Sequence, residues 1–118
     1  MKLQPIRHED DRRVLTEYIS DIPFRRAKVL EVKKKCVLGR HYHNDNDSVF
    51  YVLKGKGVVE LQSAHSRQAH IKRDWMFEGD CLFVARGIIH TFTLYPGTIM
   101  LECATLPFNE KDEIQITK

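Results

Sequence analysis

A chain of 118 residues with 42% hydrophobic and 30% charged side chains has the size of one cored domain and is too apolar to be disordered. Its formal charge of +3 is mild, and no repeated basic patches interleave with aromatics along the chain, which excludes an obvious nucleic-acid binder. The apolar runs are too short to span a bilayer or to act as a signal peptide, so a cytoplasmic location without membrane attachment is expected.

In chain order, Met1 to Arg13 is polar after Ile6 and predicts an edge strand or loop. Val14 to Ser20 alternates loosely, and Pro23 closes it. Ala27 to Val32 is a strand candidate, and Val37-Leu38 leads into Gly39, where the chain can bend. Val49 to Leu53 is strongly strand-forming, and with the Lys54-Gly55-Lys56-Gly57 turn and Val58 to Leu61 it predicts a hairpin. Gln62 to Gln68 is a polar loop, followed by short strands at Ala69 to Ile71 and Trp75 to Phe77. Glu78-Gly79-Asp80 and Arg86-Gly87 are turn signals around an apolar strand from Cys81 to Ala85. Ile88 to Tyr95 and Thr98 to Leu106 complete the strands, and Asn109 to Lys118 is a polar tail or an added edge. About eight to ten short strands with glycine-rich turns and no amphipathic helix predict an all-β sandwich or small barrel in one domain spanning 1–118. Trp75, Phe77, Phe83 and Phe92 read as core.

Two histidines one residue apart, His41 and His43, project to the same face of a strand. Asp47 follows four positions after the second, and His90 lies behind an apolar strand. Three imidazoles and a carboxylate are a plausible first shell for a divalent transition metal (Zn, Fe, Mn, Ni or Co). Arg40 and Tyr42 belong to the opposite face if the strand is regular. His8, His65 and His70 have no spacing that links them to this group, and Tyr51 and Tyr95 read first as cross-strand packing. Cys36, Cys81 and Cys103 form no CxxC pair, so they read as buried thiols. Lys33 to Lys35 form the only basic triplet, near Arg25, Arg26 and Lys28. This suits an anionic small ligand or a solvated lysine edge.

These motifs resemble those of the cupin superfamily. The stretch Gly39 to Gly57, GRHYHNDNDSVFYVLKGKG, is similar to its first motif, and Gly79 to His90, GDCLFVARGIIH, to its second, with Ala85 where that motif has proline. The resemblance covers roughly residues 27–106 and implies a double-stranded β-helix, the cupin jelly roll, often dimeric. It maps the three metal-binding histidines onto His41, His43 and His90. Asp47 falls at the nearer spacing of the usual glutamate, and Ser48 at the farther one. The segment Asp10 to Glu17 also resembles the opening of cupin enzymes acting on nucleotide-linked 4-keto-6-deoxysugars, the 3,4-ketoisomerases and 3,5-epimerases, with Arg13 in place of a glycine. In those ketoisomerases the histidine pair transfers protons without a required metal.

The resulting expectation is a metal-binding cupin, a homodimer, that isomerises or epimerises a carbohydrate or nucleotide-linked keto sugar through His41 and His43. Proton abstraction beside a ketone needs a base poised near neutrality, which histidine supplies. Two other readings stay open: a metal-dependent oxygenase or decarboxylase, and a non-catalytic sugar or effector sensor.

Overall fold

The computed structural model describes residues 2–18, 22–66, 70–107 and 109–116. It begins with β1 (Lys2–Leu3) and the pair β2 (Ile6–Glu9) and β3 (Val14–Glu17). Next come β4 (Arg26–Glu31), β5 (Cys36–His43), β6 (Ser48–Lys54) and β7 (Lys56–Ser63). The remainder is β8 (Lys72–Phe77), β9 (Cys81–Val84), β10 (Ile88–Leu94), β11 (Ile99–Ala104), a single 3₁₀ turn at Glu110–Asp112 and β12 (Glu113–Gln115). Two five-stranded antiparallel sheets, ordered β1-β9-β6-β11-β4 and β12-β5-β10-β7-β8, form the body, and β2-β3 stands apart. The predicted all-β architecture is present as a jelly roll. Among the described residues no helix is long and apolar enough to cross a membrane.

The predicted hairpin across Gly55 is not one. β6 pairs with β11 and β9, whereas β7 pairs with β10 and β8, so the chain crosses from one sheet to the other at this point. The sequence shows why: Ser48 to Val52 are buried on both faces of β6, as a central strand requires, and cannot sit on a two-stranded ribbon. Gly55, at φ 86°, forms the corner. A Cβ there would lie 2.5 Å from Thr98 Oγ1, and Thr98 Oγ1 itself bridges the Lys56 backbone.

The strand predicted from Ala69 begins instead at Lys72, and Ala69 lies outside the described residues, as do Ser20, Arg67 and Gln68 at the ends of other predicted segments. The C-terminal tail resolves into the edge addition, with β12 pairing β5 from His43 to His41.

The inward faces enclose one apolar cluster, including Val52, Val59, Met76, Leu82, Phe92 and Leu94. A second cluster, Val49, Tyr51 and Cys81, covers the outer face of the first sheet, with Phe83 and Tyr18 packed on it. Trp75 and Phe77 depart from expectation. Only Met76 between them points inward, leaving Trp75 42% and Phe77 52% exposed, because β8 is an edge strand with one covered face.

The corner at Gly55 can be tested against Gly97, which has nearly the same φ of 85° but open space around a new Cβ. Gly97→Ala should cost roughly 1–2 kcal/mol, the price of the left-handed backbone alone. Gly55→Ala should cost clearly more. Equal losses in urea unfolding would contradict the packing at the corner.

Candidate active site

Strand alternation carries His41 and His43 into the interior from β5, and His90 is the direct cross-strand partner of His41 on β10. The register slips by one residue between His90 and Thr91, where Gly39 (φ 94°) and Arg40 (φ 60°) form a bulge. A Cβ at Gly39 would sit 2.6 Å from the His90 carbonyl oxygen, so glycine is what lets β5 press against β10 here. The three imidazoles meet as a result. Ring centroids lie 4.5 Å apart for His41 and His90, and 5.1 Å for His41 and His43. One ligand nitrogen from each lies within 4.8 Å of the others.

Each ring is held from behind. Glu113 Oε1 on β12 is 3.3 Å from His41 Nε2. Asp112 Oδ2 is 3.6 Å from His43 Nδ1, and its Oδ1 accepts the backbone N–H groups of Asn44 and Asp45 at 3.0 and 2.8 Å. His90 Nδ1 lies 3.1 Å from the Ile88 carbonyl. A carbonyl only accepts, so Nδ1 carries the proton and Nε2 keeps its lone pair. His41 Nδ1 is buried without a hydrogen-bond partner among the described residues, which is consistent with a bare nitrogen when Nε2–H donates to Glu113.

Burial, with the neighbouring His41 as the next cause, pushes His90 down to about 4. Burial also lowers His41, against the opposing pull of Glu113. Both rings are therefore neutral at pH 7, the form that ligates metal or accepts a proton. Neutral nitrogens and an orphaned Nδ1 suit a divalent transition metal in donor type. The 4.8 Å span is slightly wider than the roughly 4 Å that two nitrogens on one zinc can span, so holding an ion takes a small rotation of the rings.

Asp47 is not in this group, which corrects the expected fourth ligand. It precedes β6, and its carboxylate accepts the Arg86 backbone N–H at 2.8 Å and the Arg86 guanidinium at 3.0 and 3.3 Å. Burial alone would raise its pKa, but these bonds and the Arg86 charge hold the carboxyl below its ordinary value. The inward position belongs to Ser48. Its hydroxyl donates to Glu102 Oε2 at 2.9 Å and accepts from Asn46 Nδ2 at 3.0 Å. The acids that line the cavity are instead Glu102 and Glu113. Glu102 carried a signal in sequence, as a charge at an inward position of the apolar strand Ile99–Ala104. Asp112 and Glu113 carried none, since only the 3₁₀ turn and the pairing of β12 with β5 deliver them.

The cavity encloses about 310 Å³, within the range of small-ligand sites. Histidines form one wall, and Arg26, Lys28 and Glu102 from β4 and β11 form the other, over an apolar floor that includes Phe50, Phe92 and Met100. Arg40 and Tyr42 point away: Arg40 lines an outer groove, and the Tyr42 ring meets exposed His65 at 5.5 Å. His8 and His70 are exposed. Tyr51 belongs to the outer apolar cluster, where burial raises its pKa, and Tyr95 stacks on Trp75 at the surface.

No family model matches the chain. Among curated proteins it is 33% identical over 72 residues to acireductone dioxygenase 1 of Vitis vinifera, an alignment that covers 61% of this chain and 36% of that one. The chain thus spans about a third of that relative's length. Among solved structures it superposes on the TDP-fucose 3,4-ketoisomerase WlaRA of Campylobacter jejuni with a TM-score of 0.85 and 13% identity, covering 98% of this chain and 88% of that one. It is also similar to a histidine-to-asparagine variant of the 3,4-ketoisomerase QdtA of Thermoanaerobacterium thermosaccharolyticum in complex with TDP-4-keto-6-deoxyglucose. There the TM-score is 0.83 at 19% identity, over 98% and 86% of the two chains. These superpositions establish the jelly roll, a double-stranded β-helix, as the fold of this chain.

Two outcomes follow from the geometry. In zinc titrations of chelator-treated protein, His90→Ala should weaken binding more than tenfold, on the scale of a lost ligand contact, while Asp47→Ala should change it less than about twofold. Comparable losses would return Asp47 to the site. In metal-free protein, His90 titrates near 4 folded and near 6.5 unfolded. The unfolded state then binds more protons, so stability is lost as pH falls from about 6.5 to about 4, by up to about 3 kcal/mol. His90→Gln should flatten that part of the stability profile; an unchanged slope would place the titration elsewhere.

Proposed function

We propose that this chain is an isomerase or epimerase of nucleotide-linked keto sugars, with His41 as its principal proton-transfer group. The observation that carries this reading is the His41–Glu113 pair at 3.3 Å, set in a cavity whose fold is shared with sugar 3,4-ketoisomerases over 98% of this chain. His41 is neutral and its Nε2 is backed by a carboxylate. The neutral His41 imidazole removes a proton from the carbon beside the carbonyl, and Glu113 stabilises the imidazolium that forms. His43, tied to Asp112, lies on the same wall and shares the relay. The apolar floor limits water around the enolate.

A divalent metal, held by His41, His43 and His90, would supply Lewis acidity at the same wall. The likeness to acireductone dioxygenase favours a second reading on this point, a metal-dependent oxygenase in which these histidines are ligands and not bases.

Two further parts belong to the proposal. The β2-β3 pair bonds to neither sheet and exposes Ile6, Val14 and Leu15, an arrangement with little stability alone; a second copy of the chain, in a homodimer, would cover it. All three cysteines are free thiols, as suits a cytoplasmic protein.

Chelator-treated protein incubated with TDP-4-keto-6-deoxyglucose in D₂O should incorporate deuterium at carbon and form an isomeric product, read by NMR. His41→Asn should slow this by roughly 10²–10⁴-fold. Absence of exchange in the wild type without metal, with oxygen consumption on adding iron or nickel to an acireductone, would replace this reading with the oxygenase.

A further inference from the structure

The wall opposite the histidines has no role in the proton transfer itself, yet its polar side chains form a connected network. Lys28 and Glu102 are direct cross-strand partners, with Nζ 3.2 Å from Oε1. Arg26 lies two residues earlier on the same inward face, its Nη2 3.9 Å from Glu102 Oε2. That same oxygen accepts the Ser48 hydroxyl. Behind it Asn46, which is buried, donates to Ser48 and accepts the Leu106 N–H at 3.0 Å. A chain of hydrogen bonds from the end of β11 through the start of β6 therefore fixes one carboxylate.

Glu102 is already served by a hydroxyl and two cations, so it has little acceptor capacity left for a ligand. What it presents to the cavity is the two cations it aims. They stand on β4, facing β5 and β10 across the gap between the sheets, and both line the cavity with the histidines.

We infer that Arg26 and Lys28, positioned by Glu102 and Ser48, form an oxyanion-binding wall that takes the paired oxygens of an enediolate while the histidine wall handles the carbon-bound proton. This deepens the proposed function and rests on it for the reaction, though not for the binding chemistry. The base removes the proton from the carbon next to the carbonyl, and the C–H electron pair becomes the C=C bond. The carbonyl π pair moves onto oxygen, where the cations balance its charge. The proton of the adjacent hydroxyl passes to that oxygen, and the imidazolium returns its proton to the former carbonyl carbon. Atoms and electrons balance with no oxidant or reductant. An anion-specific wall also selects the substrate class: an α-hydroxy ketone, whose two neighbouring oxygens match two cations.

Oxalate, a planar dianion with oxygens on adjacent carbons, is the probe, measured by calorimetry on chelator-treated protein. The wild type should bind it saturably at one site. Lys28→Met and Arg26→Gln should each weaken it by about tenfold or more, the scale of a lost hydrogen bond to a charged group. Lys28→Arg should retain most of the affinity, and Lys54→Met, a cation at the exposed end of β6, should leave it unchanged. Lys28 is 60% exposed, so its replacement leaves the core intact, and thermal melts verify this. No saturable binding without metal would overturn the inference, as would binding indifferent to Lys28 and Arg26. Oxalate binding of the predicted pattern, with no deuterium exchange into the keto sugar, would discard the sugar reading and keep the wall. Exchange without that binding would do the reverse.

Discussion

Ionisable side chains gathered at one end of an apolar interior persist only if each is compensated, because an unpaired buried charge costs several kcal/mol. This constraint shapes the candidate site. Glu102 is matched by Lys28, Arg26 and Ser48, Asp112 by two backbone N–H groups and His43, and Glu113 by His41. His90 is compensated differently: burial keeps it neutral, and the Ile88 carbonyl takes its Nδ1–H. The two walls of the cavity are thus two halves of one electrostatic solution. Acids stand behind the histidines on one sheet, and cations stand in front of an acid on the other.

The fold supplies what that solution needs. Inward alternation on β4, β5, β10 and β11 brings side chains from both sheets to a common gap, and the crossing at Gly55 places β6 and β7 in different layers. The β12 strand contributes little to the apolar core, but it and the 3₁₀ turn before it deliver both acids that back the histidines. The site's electrostatics therefore depend on an edge strand of only three residues, held to β5 by pairing and by the Ile116 N–H bond to the Arg40 carbonyl.

Much of this was legible in the sequence, for identifiable reasons. The spacing of His41 and His43 and the position of His90 behind an apolar strand report local periodicity, which survives in any strand, and the paired motifs named the jelly roll. Asp47 misled because spacing gives the reach of a side chain but not its competitors, and Arg86, 39 residues away, captures it. The hairpin across Gly55 misled because a glycine turn between apolar strands looks the same whether the chain returns within a sheet or crosses between two. Trp75 and Phe77 looked like core because composition does not tell an edge strand from a central one. Glu113 and Asp112 could not be read at all, since their role exists only through pairing with β5.

The central claim is that the network leaves His41 and His90 neutral, with Nδ1 bare on His41 and Nε2 bare on His90. Long-range proton–nitrogen NMR on nitrogen-15-labelled, metal-free protein at pH 7.5 reads this directly, since each ring nitrogen reports whether it carries a proton. The account predicts neutral rings at both positions, with the proton of His90 on Nδ1 and that of His41 on Nε2. An imidazolium at either residue, or His41 protonated on Nδ1, would contradict it.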